Sequence, residues 1–140
     1  MTEKQWNKLK PATKRIKIAQ DVILRIRSKQ YRPSSQIWVQ FDQLNAPSLP
    51  AETPLQPLIQ KGATCQCCAL GGLMVSRIAL ENKANTSCLY YNELSYYDSS
   101  DSYSGQSEEL RTIFSEEQLA LIEAAYELGT GVYDYDAKAV

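Results

Sequence analysis

Residues 68–82, Cys-Ala-Leu-Gly-Gly-Leu-Met-Val-Ser-Arg-Ile-Ala-Leu-Glu-Asn, constrain this chain more than any other stretch. Leu70, Leu73, Met74, Val75, Ile78 and Leu80 put apolar side chains on most sides of a helix instead of along one stripe. A helix apolar nearly all round is enclosed by other elements. The rest of a 140-residue chain must then wrap it, which suits one domain around one core. Gly71 and Gly72 lie inside this helix, where each costs about 1 kcal/mol relative to alanine, so a second backbone is expected to cross close by.

The flanking segments supply the wrapping. Thr2 with Gln5 three residues on forms a capping box for a short helix carrying Trp6 and Leu9, and Pro11 suits the first turn of the next helix. Across residues 12–30, Ile16, Ala19, Val22, Ile23 and Ile26 recur at helical spacing as the expected buried stripe, opposite a basic face. Tyr31-Arg32-Pro33 ends that helix. Ile37, Val39 and Phe41 then alternate with Trp38 and Gln40, the period of a strand with one buried face.

Residues 43–64 carry Pro47, Pro50, Pro54 and Pro57 with little periodicity, which reads as a long loop with either a binding role or a short hidden element; Leu55 to Gln60 suits one helical turn. Near the C-terminus, Ser115 with Gln118 caps a helix, Phe114 staples onto Leu119, and Leu119, Ile122, Ala125 and Tyr126 form its core stripe until Gly129. The expected fold is mainly α with a small β element (α+β). It is a single compact domain over residues 1–130 with a central buried helix, followed by a mobile tail at 131–140.

Charge is divided along the chain. Residues 1–32 hold ten Lys or Arg against Glu3 and Asp21, a net of +8, whereas the remainder holds five against fourteen acids, a net of −9. Either this basic head docks on its own acidic body, or Lys14, Lys17, Arg25, Arg27, Lys29 and Arg32 form a phosphate-facing surface for nucleic acid. The chain begins Met1-Thr2-Glu3-Lys4 and has no run of about 18 apolar residues, so no signal peptide, no membrane association and a cytoplasmic location are expected.

Three of four cysteines cluster at the head of the central helix. Four readings follow: a nucleophile at Cys67 or Cys68 with its pKa lowered by the helix dipole, a zinc site from Cys65, Cys67, Cys68 and Cys88, a redox pair, or small buried hydrophobes. The chain contains no histidine, which excludes Cys–His dyads and every His-ligated metal site. Zinc and redox readings are weakened by the absence of C-x-x-C spacing. Buried hydrophobes are therefore the favoured reading, with neither catalytic residue nor cofactor.

Residues 88–105 hold five of nine tyrosines among Ser, Asn and Asp, a composition suited to contact surfaces. Cys68-Ala69-Leu70-Gly71-Gly72, Phe114-Ser115-Glu116-Glu117-Gln118-Leu119 and Ile122-Glu123-Ala124-Ala125-Tyr126 together resemble, over residues 12–127, a group of small uncharacterised bacterial and bacteriophage proteins with a Cys-Ala-Leu-Gly-Ala motif. Gly72 stands where that motif has alanine. The resemblance implies a small helical domain and carries no activity. The expected function is a non-enzymatic accessory or counter-defence protein that inhibits a host protein or sequesters a small anionic signalling molecule. Its expected binding residues are Arg25, Arg27, Arg32, Tyr90, Tyr91, Tyr96 and Tyr97. Nucleic-acid binding and cysteine-dependent catalysis are the alternatives, and the oligomeric state is open.

Overall fold

The computed structural model describes residues 1–34, 39–42, 55–81 and 110–131. Its first helix, α1 (Glu3–Asn7), starts at the expected capping box: the Gln5 backbone N–H donates to Thr2 Oγ1 and the Thr2 N–H to Gln5 Oε1. This short helix delivers Trp6 to the core, 1 % exposed.

Helix α2 (Pro11–Arg27) has Pro11 at its first position, as expected. It ends at Lys29, held at φ 65°, where the Lys29 N–H donates to Ile26 O and the Gln30 N–H to Arg25 O. These two bonds close a Schellman motif with lysine in place of the usual glycine. The buried stripe differs from expectation. Ile18 and Val22 are buried and Ile26 half-buried, whereas Ile16, Ala19 and Ile23 are exposed. The helix is rotated to set Ile18 and Val22 against the core, because one enclosed neighbour accepts only a narrow stripe of a helix carrying apolar residues on several sides.

Three short strands form a sheet in the order β1-β3-β2, from β1 (Tyr31–Pro33), β2 (Val39–Phe41) and β3 (Cys65–Cys67). The central β3 pairs parallel with β1, Tyr31 opposite Cys65, and antiparallel with β2, Val39 opposite Cys67. Val39 is buried, Gln40 exposed and Phe41 half-buried, as the alternation required; Ile37 and Trp38 lie outside the described residues. Tyr31-Arg32-Pro33 is thus a strand as well as a helix stop. Cys65-Gln66-Cys67 is also a strand, not the head of a helix. Its buried, half-buried, buried pattern has period two but spans only three residues, too few to stand out in a sequence. Helix α3 (Leu55–Gln60) is the expected turn of helix inside the proline-rich stretch.

Helix α4 (Ala69–Glu81) is the expected central helix, and α1, α2, α3, β3 and the last helix all pack on it. Its burial on nearly every side extends to Ser76, Arg77 and Glu81. Ser76 Oγ pairs with the buried Tyr31 hydroxyl at 2.9 Å, and Arg77 bonds Glu81 one turn away. Among the described residues, the nearest neighbours of Gly72 are side chains and not a crossing backbone. A Cβ there would meet Cys67 Sγ at 3.5 Å and the Tyr31 ring at 3.7 Å, so the glycine makes room for two side chains.

Helix α5 (Glu116–Thr130) is capped by Ser115 and Gln118 as expected. Phe114 and Leu119, the two ends of the expected staple, are both buried. Gly129 lies within the helix, and Gly131 at φ 75° is the left-handed residue that ends it. The core stripe fades along α5, from buried Leu119 through half-buried Ile122 and Tyr126 to exposed Ala125. The protein is therefore mainly α with a small β element, its core drawing Trp6, Ile18, Tyr31, Val39, Ile59, Cys67, Met74 and Leu119 from every described helix and strand. Among the described residues, no helix is long and apolar enough to cross a membrane. The expected tail lies at residues 131–140, of which only Gly131 is described.

Candidate functional site

Cys65, Cys67 and Cys68 are built into or against the core. Cys65 and Cys67 share the inner face of β3 and are fully buried, while Cys68 is the residue before α4 and half-buried. Its Sγ accepts the Gly71 N–H at 3.5 Å, so sulfur does the work of an N-cap. Burial nevertheless pushes the Cys68 thiol up to about 11, outweighing the lowering by the Gly71 and Leu70 N–H groups. The helix dipole loses to desolvation, and the expected nucleophile is a protonated thiol at neutral pH.

Cys67 is raised further, first by its hydrogen bond with Cys65 and then by burial. Above it, the Tyr126 hydroxyl donates to Cys67 O at 3.0 Å and lies 4.0 Å from its Sγ. Burial also raises the Tyr126 hydroxyl, leaving it a donor and not a base. Cys88 of the four-cysteine set lies outside the described residues, and the described ones include no group of three Cys, Asp or Glu arranged to hold a metal.

The basic residues separate into two groups. Arg25 donates to Asp21 at 2.7 Å and to Gln30 Oε1 at 2.9 Å, and Arg32 forms a bidentate pair with Asp42, which also accepts the Thr64 hydroxyl. Arg15 donates to Ile113 O at 2.8 Å, and Lys14 stands over the Trp6 ring, 5.6 Å from its centre. Much of the basic head thus docks on its own chain. Lys17 is half-buried, and Arg27 and Lys29 are exposed at the C-terminal end of α2. Arg25 and Arg32 thus answer to separate acids, Asp21 and Asp42. Tyr90, Tyr91, Tyr96 and Tyr97 lie outside the described residues.

A different surface is open. Ala19, Val22, Ile23 and Ile26 of α2 face Ile122, Ala125, Tyr126 and Gly129 of α5 across a groove of about 370 Å³ with Leu73 of α4 at its floor. Both walls repeat at i, i+3, i+4 and i+7, the spacing of one helix face. The same two helices carry large exposed apolar side chains: Ile16 is 58 % and the wall residue Ile23 46 % exposed on α2, Leu121 71 % and Leu128 66 % on α5. A second, smaller cavity of about 130 Å³ is polar, between Trp6, Lys14, Arg77, Glu81 and Ile113.

Comparisons with protein-family models, with curated proteins and with solved structures find no match. The resemblance to the Cys-Ala-Leu-Gly-Ala group accordingly rests on the motif residues alone.

The groove residues were not among those singled out for binding from the sequence. A signal was present. Helix α2 carries Ile16, Ile18, Ala19, Val22, Ile23, Leu24 and Ile26, more apolar residues than one buried stripe takes, and α5 carries Leu121 and Leu128 off its core stripe. Amphipathic helices with surplus apolar residues point to a second contact.

Proposed function

We propose that this chain is a non-enzymatic binding protein that docks a macromolecular partner on the groove between α2 and α5. The observation that supports it is the groove itself: two helix faces lined by apolar side chains at helical spacing and open to solvent, on helices that carry further exposed leucines and isoleucines. Grooves of this form take an amphipathic helix by its apolar anchors. Cys67 and Cys68, whose thiols are raised by their surroundings, and Arg25 and Arg32, each paired with an acid of the same chain, do not compete with it as a site of chemistry. The accessory or counter-defence role expected from the sequence fits this reading, with a protein partner favoured over a small anion because the wall residues offer no cationic donors.

Ala125 is exposed on the groove wall, so Ala125→Arg should place a charge in the groove without disturbing the core. At high dilution wild-type protein should bind an apolar fluorescent dye and retain a partner from lysate, and Ala125→Arg should lose both while melting at an unchanged temperature. Equal dye binding and the same partners in the two proteins would remove the groove from this role.

A further inference from the structure

We infer that the occupant of this groove is a second copy of the same chain, turned about a twofold axis that runs along the groove so that α2 of each copy lies over α5 of the other. The inference rests on the reading of the groove as a docking surface, and charge selects the partner. Helix α2 carries Lys14, Arg15, Lys17, Arg25 and Arg27 against Asp21, a net of +4. Helix α5 carries Glu116, Glu117, Glu123 and Glu127 and no basic residue, a net of −4. The two walls of one apolar groove therefore belong to helices of equal and opposite charge.

A partner for such a groove needs an apolar centre, an acidic side to meet α2 and a basic side to meet α5. This chain has that surface. A twofold contact is isologous, so every favourable apposition occurs twice. An axis along the groove exchanges the walls and sets +4 over −4 on both sides. An axis across the groove would set α2 over α2 and α5 over α5, with like charges facing, which disfavours association. The exposed flanks follow the same geometry: Ile16 and Ile23 on one wall would be covered by Leu121 and Leu128 of the other copy, removing large apolar side chains from water. Glu123 is raised by partial burial and by the neighbouring Glu127, a repulsion among the α5 acids that a basic helix laid over them relieves.

The test is the oligomeric state of the full chain by sedimentation equilibrium over a concentration series. A monomer–dimer equilibrium is expected. Raising NaCl from about 50 mM to about 500 mM should weaken the dimer roughly tenfold or more, since salt screens opposite charges brought together. A dimer strengthened by salt, as like-charged helices would give, overturns the arrangement. Ala125→Arg, shown folded by circular dichroism and melting temperature, should sediment as a monomer, and a dimer that survives in it lies on another surface. A chain that is monomeric at every concentration, yet binds an apolar dye that Ala125→Arg abolishes, defeats the second copy and keeps the docking reading. Dye binding by the dilute monomer that Ala125→Arg leaves untouched defeats both.

Discussion

At the scale of single residues, local bonds and burial act in opposite directions, and magnitude decides between them. Cys68 sits where a helix N-terminus favours thiolate, but its burial dominates and holds the thiol up to about 11. In a Cys88→Ser background, native protein at neutral pH should therefore react with a thiol reagent far more slowly than free cysteine, and unfolding should release three reactive thiols. Rapid labelling of Cys68 in the folded chain would show that the dipole prevails. Lys29 offers a second case, since its φ of 65° is a left-handed conformation that costs a side-chain-bearing residue about 1–2 kcal/mol. Lys29→Gly keeps the Schellman bonds and should raise stability by up to about 1 kcal/mol in a denaturant titration. An unchanged or lower midpoint would mean that Lys29 contributes something its exposed position does not reveal.

At the scale of elements, α4 shows how a helix rule and a packing rule combine. Gly72 weakens the helix, and its neighbours are the Cys67 sulfur and the Tyr31 ring at ordinary contact distances. A methyl group fits in that space. Gly72→Ala should stabilise by up to about 1 kcal/mol through helix propensity, whereas Gly72→Leu must displace Tyr31 and Cys67 and should cost about 1–3 kcal/mol or more. Melting temperatures of the two variants decide it, and a destabilising alanine would mean that β3 and α4 have no slack between them. The same helix encloses the Arg77–Glu81 pair, whose i, i+4 spacing is visible in the sequence although its burial is not. Spacing is a property of one helix; burial depends on what the other elements place over it.

At the scale of the whole molecule, Asp42 joins elements distant in sequence: its carboxylate accepts from Arg32 of β1 and from Thr64 at the start of β3, and its N–H donates to Thr64 O at 3.0 Å. The Arg32 bond holds the Asp42 carboxyl below the usual range. A depressed folded-state value means that the contribution is complete above the ordinary carboxylate range and is lost as pH falls through the lowered value. Because Arg32 is 44 % exposed, the contribution is modest, within about 1 kcal/mol. Asp42→Asn should flatten the acid limb of a stability profile by that amount and leave the neutral-to-alkaline limb parallel to wild type. An acid limb identical in both proteins would remove Asp42 from the acid response.

What the sequence determined by itself was everything set within a few residues. Both capping boxes, Pro11 at the head of α2, the helical turn at Leu55–Gln60, the alternation at Val39–Phe41 and the all-round apolar character of α4 follow from local sterics and hydrogen bonding. Tertiary structure alone decided which of those surfaces became interior. It chose Ile18 over Ile16 on α2, made a central strand of Cys65-Gln66-Cys67, tied Arg32 to Asp42, and left an apolar groove between a basic and an acidic helix. Pairing register and helix rotation are fixed by contacts between segments far apart in the chain, and a pattern read along one segment carries no record of what lies across from it.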